Sequence, residues 1–497
     1  MSHYVLSLKL KTDKNDIRFL NDVFFHANHI HNQLVSHCRK QLKKLRRDKI
    51  YRRALKTYIK LKEDKTEVFR QAADVLNERI RYYGLTKYDM ESYIKTSRYQ
   101  RASYIGADVA QKQVAEVYQA VKKVLYGNGK IIHYRKLEDM TSIEGKKTTA
   151  NITMKYDMVI IGQKNRKHQI GVQFPKHSDT KERAYFKQAY RPDDIAYYRI
   201  KRKMFRGGWQ YYLEMVIKGV PPEKHKVAEQ GRAGIDNGTS TTAIVTEDMI
   251  ILEDLDKGVK KVADRIAEIQ RRMDQSRRHT NPKNYKEDGT IRKGRKIWNF
   301  SGHYHQIRRE LKTIYRKRAE ALKQHHEQLA NTVLEHACVV YTEEADTTAL
   351  AKRSKKTKLR KDGKIGKKKR FGKSVGTYAP AQLIQIIDRK LGYQERAVQK
   401  VNTKTFKASQ YNHIKDEYKK KELSARSFFL DDTIQVQRDL YSAFLLSCSS
   451  DDLQQADREL CNSRFPAFLD LHDRQIQYMM EHSDEYKNPC FGLKDFK

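Results

Sequence analysis

From His3 to Lys11 the chain alternates, with Tyr4, Leu6, Leu8 and Leu10 on one face, the period-two pattern of a half-buried strand. From about Ile17 to Leu125 apolar residues return at helical spacing instead. Within that stretch, Arg39 to Lys62 places Leu42, Leu45, Ile50, Leu55 and Ile59 on one stripe of what reads as a single helix. Residues 130–230 turn β-rich. Runs at 152–156, 158–162, 169–174 and 209–217 read as strands separated by Gly, Asn and Lys turns. Together they predict a small antiparallel barrel that strand 3–11 joins, with the helical segment inserted. Pro221-Pro222 and the polar run to Gln230 read as a linker. Beyond 231 the pattern is α/β. Strands are predicted at 233–236, 242–247, 338–342 and 397–402, with helices at 257–277, about 303–336, 379–393 and 439–447, and a polar segment over 403–433.

Charge changes this picture. Lys and Arg number 102 against 61 Asp and Glu, a net of +41, which is the electrostatic footprint of a polyanion partner. The bases are clustered. Arg39–Lys62 holds twelve Lys/Arg and one acid, with Lys43, Arg46, Arg47 and Arg52 as candidate phosphate contacts. The loop Lys352–Lys373 holds thirteen in 22 residues, Lys367, Lys368 and Lys369 among them. Without apolar periodicity it is expected to order only on nucleic acid. The last stretch, 451–497, reverses sign with ten acids against six bases. It reads as an acidic tail that includes a helical cap over 455–483.

The 497 residues predict two to four domains. No apolar run is long enough for a membrane span, and the first residues do not read as a signal peptide. Five cysteines (38, 338, 448, 461, 490) lie far apart, which fits a reducing cytosol. Cys338 and Cys448 read as small buried hydrophobes. The expected setting is cytoplasmic, nucleoid-associated and prokaryotic.

Three carboxylates carry candidate chemistry. Asp236 ends a strand-like run before Asn-Gly-Thr, Glu343 ends Val-Val-Tyr-Thr, and Asp439 opens an apolar-faced helix. Acids at strand ends project into the crevice where such sheets bind ligands. Three of them cannot all stay ionised at close range without a cation, and two Mg²⁺ ions would meet that need in phosphodiester hydrolysis. Glu344 and Asp346 flank Glu343, and either could take its place if the strand register slips by one residue. The first motif alone would also open a sugar-kinase or actin-type ATPase. That reading needs downstream glycine loops that the sequence lacks, and it leaves the charge unexplained. Arg438 either contacts a scissile phosphate or pairs with an acid.

The motifs Gly234-Ile235-Asp236, Val340-Tyr341-Thr342-Glu343, Lys407-Ala408-Ser409-Gln410 and Gln437-Arg438-Asp439-Leu440-Tyr441 resemble the TnpB family of transposon-encoded RNA-guided nucleases and the compact type V CRISPR effectors derived from it. The resemblance is closest over about 205–445. It implies a multidomain α+β protein. Its parts would be a wedge barrel (1–12 and 141–225), an inserted helical recognition domain (13–140), a linker (226–230), and an RNase H-like, RuvC-type nuclease domain (231–403 and 434–450, with the basic loop 351–376). A target-nucleic-acid segment (404–433) and the tail 451–497 complete it. It implies a guide RNA and target DNA as partners, with a short protein-read motif beside the target. Asp236, Glu343 and Asp439 take the catalytic, magnesium-holding positions, and Lys407, Ser409, Gln410 and Arg438 fall among nucleic-acid contacts. Most relatives carry a four-cysteine zinc ribbon between the second and third motifs. Here 344–438 contains no cysteine, so no zinc is expected, and His413 alone makes no site. Two other readings remain: a nuclease-silent RNA-guided repressor, and an RNase H-fold strand transferase without a guide. Oligomeric state is left open.

Overall fold

A computed structural model describes residues 2–496 except 63–65, 147–151, 163–166, 177, 206–207, 224–225, 260, 345, 353–370 and 423–424. Most of the basic loop, with Lys367, Lys368 and Lys369, therefore lies outside the described residues. The chain divides into two compact units, Met1–Pro222 and Glu223–Lys497.

The first unit begins with β1 (His3–Lys11), whose alternate residues are buried as the sequence pattern requires. Five helices follow: α1 (Lys14–Leu45), α2 (Lys49–Lys60), α3 (Glu67–Tyr82), α4 (Lys87–Tyr99) and α5 (Ala107–Leu125). The chain returns to β structure with β2 (Ser142–Lys146), β3 (Ile152–Lys155), β4 (Met158–Ile161) and β5 (His168–Gln173). Helix α6 (Thr180–Ala189) and the long hairpin β6 (Ile195–Phe205) and β7 (Gly208–Lys218) complete the unit. The seven strands form one antiparallel half-barrel sheet in the order β2-β6-β7-β1-β5-β4-β3, with β1 in its centre. One apolar core joins this sheet to α1–α5.

The structure corrects the expectation of one helix over Arg39–Lys62. The helical run breaks at Arg46–Asp48. Asp48 is extended there, and its side chain accepts hydrogen bonds from the amides of Ile50 and Tyr51 as the N-cap of α2. Capping of this kind satisfies donors that a new helix start leaves open. Tyr51 and Ala54 of α2 then turn inward while its arginines face out.

The second unit is built on a five-stranded sheet. Its strands are β8 (Arg232–Asn237), β9 (Thr241–Val245), β10 (Ile250–Asp254), β11 (Val339–Glu343) and β12 (Gln399–Val401), in the order β10-β9-β8-β11-β12. The first three pair antiparallel, and β11 runs parallel to both β8 and β12. β10 has no counterpart in the sequence-based expectation. Helices α7 (Ala263–Thr280) and α8 (Gly302–His336) connect β10 to β11. Then come α9 (Thr347–Ala351), α10 (Gly372–Tyr378), α11 (Pro380–Gly392) and, after β12, α12 (Thr403–Phe406). The polar segment holds two small hairpins, β13 (Tyr411–Asn412) with β14 (Glu417–Tyr418), and β15 (Ser427–Phe429) with β16 (Gln435–Gln437). The chain closes with α13 (Arg438–Ser447) and α14 (Arg458–Glu481).

Strand alternation separates two cores. Ala233, Ile235, Ile244 and Val340 pack with α8 and α11 on one face of the sheet. Ala243, Val245, Leu252 and Tyr341 pack with α13 and α14 on the other. Cys461, Phe465, Phe468, Ile476 and Met479 of α14 belong to that second core. The acidic final stretch thus supplies a structural layer of the unit, and its net charge describes only the outer face.

Candidate active site

The acids are positioned by register. On β8, Gly234 and Asp236 point to the face that α13 covers, because Ala233 and Ile235 are in the opposite core. On β11, Val340 faces that opposite core and Tyr341 the α13 side, so Glu343, two residues on, shares the face of Tyr341. Tyr341 pairs with Gly234 and Thr342 with Ile235, and the next step of this parallel ladder sets Glu343 beside Asp236. Neighbouring strands lie about 5 Å apart. The hydroxyl of Thr342 donates to the carbonyl of Ile235 at 3.0 Å and pins the register.

The same logic separates Glu343 from its neighbours. Glu344 is exposed and its amide donates to Val401. Asp346 is exposed and caps α9 by accepting from the amide of Ala349.

Asp439 arrives from α13. The helix lies so close to β8 that a Cβ on Gly234 would meet the backbone of Ala443 and Ser447. One helical turn back from Ala443, about 6 Å, is Asp439. Two strand residues on from Gly234, about 6.6 Å, is Asp236. The two spacings match, so the acids face each other. The start of α13 is fixed twice: the side chain of Gln437 accepts from the amide of Leu440 at 2.7 Å, and its own amide donates to Nε2 of the buried His472 on α14 at 2.9 Å.

Electrostatics agree with this placement. Asp236 is held well above the usual carboxylate range, first by burial and then by the charges of Asp439 and Glu343. Burial also raises Glu343. Asp439 is compensated by arginines: Arg438 places Nη2 2.9 Å and Nε 3.0 Å from its Oδ1, and Arg426 places Nη1 3.7 Å from Oδ2. In this structure Arg438 makes the pairing with an acid. It also donates to the carbonyl of Ala425 at 3.0 Å.

Arg426, which pairs with Asp439, and Lys421, which lies near Arg438, were missed by the sequence reading. Lys421 sits 3.3 Å above the ring of Phe428, and burial, followed by the charge of Arg438, lowers it to about 8. Their only signal in the sequence was the Lys-rich character of 404–433, which marks no individual residue. His413 is buried and bonds through Nδ1 to the hydroxyl of Tyr441 at 2.7 Å, a core role.

The other candidate contacts fall in different places. Lys43, Arg46, Arg47 and Arg52 are exposed on α1, the turn after it, and α2 in the first unit. Arg46 also donates to the carbonyl of Lys130. In the second unit Lys407 is exposed in a left-handed backbone conformation after α12. Ser409 is exposed and accepts from Lys421 through its carbonyl, and Gln410 is half-buried.

Among the described residues, no three His, Cys, Asp or Glu side chains stand grouped tightly enough to hold a metal ion as they lie. The donor set nonetheless suits one. Three carboxylates on one sheet face, one of them disfavoured as an anion by the other two, are what a hard divalent cation neutralises. Such an ion would take over from the guanidinium groups at Asp439.

No protein-family model and no curated protein matches the chain. Solved structures resemble it, among them the following three. A Cas12f1–sgRNA–target DNA complex matches over 90% of this chain and 98% of that one, with TM-score 0.43 and 11% identity. A CRISPR–Cas12f ternary complex matches over 88% and 85%, with TM-score 0.24 and 13% identity. A Cas12i–crRNA–double-stranded DNA complex matches over 80% and 56%, with TM-score 0.26 and 10% identity.

Proposed function

We propose that the chain is an RNA-guided DNA endonuclease that hydrolyses phosphodiester bonds with magnesium. The carrying observation is the convergence of Asp236, Glu343 and Asp439 on one face of the five-stranded sheet, where the ladder register and the close approach of α13 bring them together. Asp236, Glu343 and Asp439 would hold the ions, and bound Mg²⁺ would supply an activated water and charge stabilisation at the leaving oxygen. The remaining chemistry belongs to the chain. Arg426 and Arg438 neutralise Asp439 and stand ready to pair with a scissile phosphate once a cation takes the carboxylate. Lys421 adds a cation from the same hairpin region. The net charge of +41 accounts for affinity toward a guide RNA and target DNA.

The test uses purified protein with its co-expressed RNA. Matched DNA should be cut in Mg²⁺, and Asp236→Ala should abolish cutting while sparing binding. Persistent cleavage by that variant defeats the assignment. A second reading, a nuclease-silent RNA-guided DNA binder, draws on the arginine pairing of Asp439 and the lack of a preformed ion cluster among the described residues. It predicts tight binding of matched DNA with no nicking at any Mg²⁺ concentration.

A further inference from the structure

In the first unit, a cavity of about 590 Å³ opens between the C-terminal half of α1 and the turn that joins α3 to α4. Its lining includes His37, Gln41, Lys44, Tyr82, Asp89 and Tyr93. His37 and Tyr93 stack with ring centroids 3.9 Å apart and planes 23° from parallel. Tyr82 is 71% exposed and Tyr93 41%, yet neither ring is left to swing. The guanidinium of Arg79 lies 4.5 Å over the ring of Tyr82, and Arg79 is itself anchored to Asp48 at 2.7 Å. Tyr83 meets Tyr82 edge-on at 5.1 Å. Gly84, at φ +61°, makes the tight turn behind these rings, a conformation that L side chains resist. Asp89 is fixed at the start of α4 by a reciprocal capping box with Thr86.

Pre-positioned aromatic faces around a concave space suit a flat, π-faced ligand, and a held ring loses little entropy on stacking. Lys44 adds a cation in the last turn of α1, suited to a phosphate. Gln41 adds an amide that can both donate and accept. The space lies within the range of small-ligand sites.

We propose that this cavity receives one unpaired nucleotide, its base stacked against Tyr82 and the His37–Tyr93 pair and its phosphate on Lys44. The inference rests on the nucleic-acid reading for its ligand class and is independent of the three acids.

The test is photo-crosslinking of the full chain to short single-stranded RNA and DNA carrying 5-iodouracil. It is done in EDTA so that cleavage plays no part, and at about 0.3 M salt to weaken nonspecific phosphate contacts. Adducts should map to the peptides containing Tyr82 or Tyr93. The variant with both Tyr82→Ala and Tyr93→Ala should lose them and bind about tenfold more weakly, the loss of one base–aromatic stack, while Tyr82→Phe and Tyr93→Phe retain both properties. Lys44→Glu, at an exposed position, provides a second variant should the double alanine change fail to fold, and it too should lose the adduct. Adduct with RNA alone assigns the nucleotide to a guide, and with DNA alone to a target strand. Adducts that avoid both peptides, or unchanged affinity in the double alanine variant, overturn the cavity. Asp236→Ala should leave the adduct intact. An adduct from a protein that cuts no matched DNA would remove the nuclease reading and leave the cavity standing, whereas cutting without any cavity adduct would do the reverse.

Discussion

Gly234 lies directly against Ala443. A Cβ at Gly234 would fall inside the contact distance of the Ala443 carbonyl oxygen and only 2.5 Å from the amide nitrogen of Ser447. Both obstacles are backbone, so no rotamer change can relieve them. The side chain that glycine lacks is what lets α13 come down onto β8 and carry Asp439 to Asp236. Gly234→Ala is expected to lower stability by roughly 2–3 kcal/mol, as for overpacked cores. Cleavage should fall about a hundredfold even in molecules that remain folded, because displacements near 1 Å are that costly at a reacting centre. Urea unfolding and cleavage of matched DNA measure the two effects. A variant with wild-type activity would show that α13 does not set the site.

The register of β11 against β8 separates two adjacent glutamates. Glu343 shares the face of Tyr341 and stands beside Asp236, while Glu344 points to solvent. Glu343→Gln is therefore expected to cut cleavage by at least about a hundredfold, on the scale of losing a charge that acts in the transition state, with no loss of melting temperature. Glu344→Gln should stay within a few-fold of wild type. The reverse ranking would mean that the strand is offset by one residue.

Much of this site was legible in the sequence because strands and helices impose simple periods. Asp236 and Glu343 each end an apolar run and Asp439 opens one, and those positions survive small errors in element boundaries. What remained hidden depends on contacts that no local pattern encodes. Arg426 comes beside Asp439, and Lys421 near Arg438, only through the fold of a polar segment. The break before α2 turns on one capping aspartate within a basic run. The helix over 455–483 was expected, but the acidic sign of the final stretch concealed its part in the core, where Phe465, Phe468 and Met479 of α14 are buried. Gly234 entered the sequence reading only as part of the Gly234-Ile235-Asp236 motif, and its place against the backbone of α13 had no local signal.

The segment 404–433 is held to the sheet unit by hydrogen bonds and packing. The hydroxyl of Tyr441 accepts from the amide of His413 at 3.2 Å and bonds its Nδ1 at 2.7 Å. Tyr441→Phe should cost about 1–3 kcal/mol, the price of leaving buried polar groups unpaired. Burial, followed by Arg458, lowers His413 to about 4. The unfolded chain therefore takes up a proton before the folded one does. The stability owed to this group is present above the ordinary histidine value of 6.5 and is lost as the pH falls toward 4, by roughly 3 kcal/mol. Urea midpoints across that window measure it. A zinc chelator should leave the midpoint unchanged, and a drop on chelation would point to a metal in this segment.

Asp236 offers the most direct test of convergence because it couples stability to charge. Burial, Asp439 and Glu343 together hold its carboxyl well above the usual range, so the folded chain keeps a proton that the unfolded chain has already released. Without divalent ions, the stability associated with this group is complete below the ordinary carboxylate value. It is lost as the pH rises through the raised one, at about 1.4 kcal/mol for each pH unit between the two. At neutral pH the wild-type protein therefore carries that cost in full or in part. Asp236→Asn removes the charge and keeps the shape, so its metal-free melting temperature near neutral pH should exceed that of wild type. Magnesium relieves the same repulsion from outside and should raise the wild-type melting temperature while leaving the variant nearly unmoved. If both proteins melt together with and without Mg²⁺, the three carboxylates do not share an electrostatic site, and neither the ion-holding role nor the nuclease reading survives.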